Sequence, residues 1–175
     1  VGVHFKTKIG IPNYVEKMPK IKGELEVNTI GNWMFGLEGE MEVGTFSLEL
    51  ALTIKSYKNI PVPDKIYFFI TGFEPGVNID AHGVIWITGG GGGIDNLYDT
   101  IFLTGGVPPL KILMSVTFDL LKVLSARCDL SLGPRGISFT AKDIEIKNTN
   151  IYALKKLAVQ FDWYPNLYIM GSIQM

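Results

Sequence analysis

Cysteine is almost missing from this chain: Cys128 is the only one in 175 residues. No internal disulfide can form, so no oxidised scaffold holds the fold together. Arginine is nearly as scarce, with Arg127 and Arg135 alone. Lysine and arginine together number 16 against 17 acidic residues, a net charge of −1. Nucleic-acid binding normally shows as a basic stripe with arginines to grip phosphate, and the chain has none, which argues against that function. Histidine occurs only as His4 and His82. Without a Cys or His cluster there is no tetrahedral metal site to propose, and no cofactor is implied. No apolar run approaches the ~18 residues a spanning helix needs.

Signals at the two ends are also missing. VGVHFKTK has no signal-peptide layout, and LYIMGSIQM still alternates at the last residue. The expectation is a piece of a longer chain: a single β-rich domain over 1–175 that packs against something else. A mean hydropathy of +0.24 agrees with that. The compartment is open, with an extracytoplasmic or cell-surface setting favoured.

What the chain does have is alternation. Trp33, Phe35, Leu37, Met41 and Val43 share one parity, with Glu38, Glu40 and Glu42 on the other. After Gly44-Thr45 the parity flips to Phe46, Leu48, Leu50, Leu52 and Ile54. A two-residue hairpin turn accounts for the flip and pairs Val43 with Phe46, Met41 with Leu48 and Leu37 with Leu52. Upstream, a three-residue loop at Ile30, Gly31 and Asn32 would pair Val27 with Phe35 and set Lys22 and Lys20 opposite Glu40 and Glu42. Residues 20–56 therefore read as a three-stranded meander with one wet face.

Lys65 to Thr71 is apolar on both parities and is expected to be buried on both faces. Val77 to Thr88 is a strand interrupted at Gly83. Residues 110–124 fit either a strand or a helical stripe, and Val116, Thr117 and Phe118 favour the strand. A loop at Gly133 to Gly136 would pair Leu132 with Ile137, Leu130 with Phe139 and Cys128 with Ala141. Across Tyr164, Pro165 and Asn166, Val159, Phe161 and Trp163 would face Leu167, Ile169 and Ile173. The fold class is mainly β: an antiparallel meander, sandwich or curled elongated sheet of roughly ten strands, with one short amphipathic helix at about 94–103.

The nearest thing to a motif is VIWITGGGGGIDNLYDTIF, Val84 to Phe102. Strand, glycine loop and helix is a phosphate-binding layout. The Walker and dinucleotide spacings both fail here, because Ile94-Asp95 follows the glycines. A carboxylate in the first helical turn would cap the free N–H groups and repel an anion. The run Gly89, Gly90, Gly91, Gly92 and Gly93 is therefore read as a joint between a strand and a helix. Its bare backbone, with Trp86 beside it and Tyr164 at a turn tip, is the candidate contact surface.

Asp80 and His82 would share one face of a strand, a spacing that could orient an imidazole; a solvated pair is the simpler account. Cys128 sits on apolar parity as an inert thiol. Glu38, Glu40 and Glu42 form a solvated face, and Trp33 and Trp163 belong to the core. With no convincing catalytic constellation, the leading expectation is a non-catalytic structural or interaction module of a larger surface or multi-component assembly. Its partner would be a protein or a neighbouring domain, and oligomerisation is open. The alternative is a carrier whose curled sheet holds an apolar, lipid-type ligand against its hydrophobic face. A transmembrane barrel ranks below both, since the helix, Pro108-Pro109 and the glycine run do not belong in a barrel wall. An enzyme built on Asp80 and His82 ranks last.

Overall fold

In the computed structural model, which describes residues 4–10, 20–28, 33–43, 45–146 and 156–174, strands dominate. In chain order they are β1 (His4–Gly10), β2 (Lys20–Asn28), β3 (Trp33–Val43), β4 (Phe46–Tyr57), β5 (Ile60–Thr71), β6 (Val77–Asn78) and β7 (Ile85–Asp95). A five-residue helix, α1 (Leu97–Ile101), precedes β8 (Lys111–Leu120), β9 (Leu124–Gly133), β10 (Gly136–Ile146), β11 (Lys156–Asp162) and β12 (Tyr168–Gln174). All twelve strands form one antiparallel sheet, and only the short β6 lies off the path β1-β2-β3-β4-β5-β7-β8-β9-β10-β11-β12. Among the described residues no ladder joins β1 to β12, so the sheet is open. The mainly-β meander is therefore the fold, in its curled single-sheet form.

Register explains why alternation is so legible. It carries the apolar parity of β3, β4, β5 and β7 to β12 onto one common face. One row across that face runs Leu37, Leu52, Ile66, Ile94, Ile112, Leu132, Ile137, Phe161 and Ile169. The next runs Gly39, Leu50, Phe68, Gly92, Met114, Leu130, Phe139, Val159 and Gly171. A third holds Met41, Leu48, Ile70, Gly90, Val116, Cys128, Ala141, Leu157 and Ile173. No charge appears in any of the three. The opposite face carries Glu40, Glu49, Phe69, Gly91, Ser115, Asp129 and Thr140 in one row. A bulge between Ile87 and Gly89 adds the extra residue that keeps β7 in phase, from Ile85 and Ile87 to Gly90, Gly92 and Ile94.

A sheet with one apolar face ordinarily buries it under a second layer. Here no second layer exists among the described residues. Among the described residues the buried hydrophobic side chains are Phe69, Ala126 and Ala141, and only Phe69 is both large and fully buried. Leu50, Ile66, Phe68, Ile112 and Met114 stand about half exposed on the apolar face, at 48%, 48%, 49%, 51% and 49%.

Several expectations hold. The β3–β4 pairs Val43–Phe46, Met41–Leu48 and Leu37–Leu52 form as expected. So do Leu132–Ile137, Leu130–Phe139 and Cys128–Ala141. Residues 111–120 are strand. Phe161 faces Ile169, while Val159 meets Gly171.

Others are corrected. β2 and β3 are offset by two residues from the expected register, pairing Val27 with Trp33 and Lys22 with Glu38. The expected loop residues Ile30, Gly31 and Asn32, and Gly44 of the expected turn, lie outside the described residues. β5 is not buried on both faces: Phe69 is covered, whereas Ile66 and Phe68 on the other side are exposed. The interruption expected at Gly83 is wider, spanning residues 79–84 between β6 and β7. Trp33 is half-buried at the first position of β3 and Trp163 is 48% exposed beyond β11, so neither is core.

Candidate functional site

The glycine run is no joint. Gly89 to Gly93 lie inside β7, hydrogen-bonded between β5 on one side and β8 on the other. The helix is correspondingly shorter than 94–103, because Ile94 and Asp95 finish the strand opposite Ile112 and Lys111. Asp95 does not cap the helix; its Oδ1 accepts from the adjacent Asn96 N–H at 2.9 Å. The capping carboxylate comes from elsewhere: Asp64 Oδ1, buried at the β5 bulge, accepts the Tyr98 N–H at 3.1 Å. Lys55 bridges Asp64 and Asp99 at 2.9 and 3.0 Å. Phe102 then stacks on Tyr57 with ring centroids 4.0 Å apart, so the β7–β8 connection is pinned to the end of the β4–β5 hairpin.

Why glycine is needed at four of these five positions follows from what a side chain would meet. A Cβ on Gly91 or Gly93 would overlap the carbonyl oxygens of Phe68 or Ile66, and one on Gly89 would sit 2.8 Å from the Ile70 oxygen. At Gly92 it would lie 2.6 Å from the Leu113 oxygen, while at Gly90 the nearest atom is 3.9 Å away. Strand β7 is thus coiled tightly against β5, and the sheet curls toward its polar face. Phe69 and Tyr67, opposite Gly91 and Gly93, fall into the groove the glycines leave. The Tyr67 hydroxyl crosses β7 to reach Ser115 Oγ on β8 at 2.8 Å.

The curl brings together a group that no local pattern announces. Strands about 4.8 Å apart would separate β4 from β9 by about 19 Å in a flat sheet. Yet Arg127 of β9 meets Glu49 of β4 at 2.6 Å. Its Nε donates to Asp129 at 3.0 Å, its other terminal nitrogen donates to the Tyr67 hydroxyl at 2.8 Å, and the guanidinium lies 3.8 Å over the Phe69 ring. Lys142 closes the cluster on Asp129 at 2.7 Å. Burial opposes the Arg127 charge, but Glu49 and Asp129 outweigh it and hold the guanidinium firmly protonated. Burial likewise pushes the Asp129 pKa up, yet hydrogen bonds from Lys142, Ser115 and Arg127 prevail and hold the carboxyl below its ordinary value. Each of the three guanidinium nitrogens of Arg127 has an acceptor, so the cluster acts as a staple across the inside of the curl.

The other expected residues do not converge on it. Asp80 and His82 share a turn, where the Asp80 carboxylate accepts backbone N–H groups of His82, Val84 and Ile85 at 2.9, 2.7 and 2.7 Å. The expected same-face strand pair is therefore replaced by an Asx-type turn. The Ile85 N–H contributes most to lowering the Asp80 pKa. Trp86 donates its indole N–H to Gly83 and lies under Lys122, and Tyr164 is half-buried beneath Arg135. Cys128 lies in the apolar rows, where burial pushes its thiol pKa up. Among the described residues, no group of three or more His, Cys, Asp or Glu could hold a metal ion. Hollows of about 360 and 270 Å³ open on the polar face, one lined by Glu38, Glu40, Glu49 and Lys65, the other by Ser115, Arg127, Asp129 and Lys142.

Two depressed carboxyl pKa values have one consequence for stability. A group whose folded pKa lies below its unfolded value stabilises the fold above the unfolded pKa, and that contribution fades as pH falls through the folded one. The urea midpoint should therefore hold steady from neutrality down to about pH 4 and drop below it. Asp129→Asn should flatten the drop, and an unchanged slope in that variant would remove Asp129 from the account.

The fold defines a class before anything else: a single-layer, curled, antiparallel meander with a stapled polar inside and an apolar outside. Comparison with protein-family models, with curated proteins and with solved structures finds no match in any of the three.

Proposed function

We propose that the chain is a non-catalytic structural module, a curved β-wall whose charge-free face is covered within a larger assembly. The observation that carries this reading is the exposed apolar face, which runs unbroken over nine strands. Isolated soluble proteins rarely expose a contiguous apolar patch beyond a few hundred Å². The polar side supports the same reading, since Arg127, Glu49, Asp129 and Lys142 satisfy one another and the Asp80 carboxylate is engaged by backbone. An apolar-ligand carrier would need its hydrophobic face on the inside of the curl. Here the inside is polar, which weighs against a carrier.

In dilute buffer the isolated chain should light up an environment-sensitive apolar dye such as ANS and sediment as a self-associating species. A compact monomer that leaves the dye dark would sink the proposal.

A further inference from the structure

We propose that the covering is a lipid bilayer: the sheet is part of the wall of a membrane-spanning β-barrel, and acyl chains occupy its convex apolar face. This rests on the structural-wall reading and names what the wall faces. Three features together carry it.

The first is the direction of the curl. The apolar face is convex and continuous, so a protein layer covering it would have to wrap around the outside of the sheet. Hydrocarbon does that without any shape match. The polar face, by contrast, is concave and internally paired, the arrangement of a barrel lumen.

The second is size. β3, β4, β5, β7, β8, β9 and β10 have 11, 12, 12, 11, 10, 10 and 11 residues. At ~3.3 Å per residue and the usual barrel tilt, such strands cover an apolar band about 25 Å tall. The third is where the aromatics sit. Trp33, on the apolar parity of β3, and Trp163, just past Asp162 of β11, lie at one end of the strands. Phe46 and Phe73 meet edge-to-face at the other end, 5.7 Å apart. Aromatic girdles at both interfaces accompany such bands.

The features that spoke against a barrel wall have moved out of the way. Helix α1 and Pro108-Pro109 lie in the β7–β8 connection, and the glycines are in-ladder strand residues. Among the described residues no helix is long and apolar enough to cross a membrane, which says nothing of strands. In a bilayer the edge strands β1 and β12 must also be paired, with each other or with further strands.

The test refolds the full chain from urea into unilamellar vesicles of a short-chain phosphatidylcholine, with and without bromine on the acyl chains. The chain should insert, and brominated lipid should quench its tryptophan fluorescence. Met114→Arg, in the middle of the apolar face, should lower the folding constant into vesicles by about thirtyfold or more, the equivalent of about 2 kcal/mol. Ser138→Arg, on the inside, should change it less than threefold. Equal effects of the two substitutions would overturn the proposal, and so would a soluble oligomer that ignores vesicles and is broken by Met114→Arg. Should Met114→Arg fold nowhere, the unsubstituted chain decides, because absence of bromine quenching overturns the proposal. Dye binding in buffer without vesicle insertion would remove the bilayer and leave the structural module standing.

Discussion

Gly93→Ala should lower stability by about 3 kcal/mol or more, a large share of what a domain of this size possesses. The added methyl meets the backbone of β5 at Ile66 and Tyr67 rather than the end of a flexible side chain. Neither strand can yield without breaking the ladder that holds Tyr67 against Gly93. Gly91→Ala should behave alike, since its Cβ would meet Phe68 and Phe69. Gly90→Ala is the internal control. Its Cβ has open space, with the Ser115 oxygen 3.9 Å away, and the loss of unfolded-state freedom favours the alanine slightly. Urea denaturation of the three variants should thus show two collapses and one near-neutral result within about 0.5 kcal/mol. Equal tolerance at all three positions would mean that β7 is not pressed against β5.

Arg127→Met comes second, with an expected cost of about 2–3 kcal/mol. Methionine keeps most of the stem that lies over Phe69 but removes all the donors. Glu49, Asp129 and the Tyr67 hydroxyl then lose their shared partner on the concave face. Removing one member of a paired cluster costs more than the pair contributed, because the remaining charges stay partly desolvated. The double variant Arg127→Met with Glu49→Gln should recover part of the loss, a coupling readable by a double-mutant cycle. Strict additivity would show that the 2.6 Å contact carries no stability.

Alternation made most of the fold legible, because period two sorts residues onto faces without any knowledge of the loops. The β3–β4 register was readable from the parity flip across Gly44-Thr45, which leaves only one pairing. The β2–β3 register was not. A two-residue slip returns every side chain to the same face, so Leu25 opposite Phe35 and Leu25 opposite Leu37 satisfy the apolar pattern equally. The helix was overextended for a related reason: Ile94 fits the i, i+3, i+4 pattern of Leu97 and Tyr98 and equally the strand alternation with Gly92. The glycines misled because a run of five reads as a loop, although here the missing Cβ atoms of Gly89, Gly91, Gly92 and Gly93 serve close strand contact.

Arg127 had a faint signal, being one of two arginines in the chain and lying on a strand's polar parity. Its partner Glu49 is 78 residues away. Only the curl makes the two neighbours, and local periodicity does not encode curvature.

The staple and the glycine strand together make the sheet unequal in stiffness. Between β4 and β9, flattening would drag Arg127 off Glu49, pull Tyr67 from Ser115 and uncover Phe69. Bending there is opposed by side chains as well as by the ladder. From β11 to β12, where every residue of the last strand is exposed, the ladder alone resists. Load applied across the sheet would be carried as if by a braced arch with a compliant margin, and that margin is where a neighbouring strand could be admitted without straining the rest.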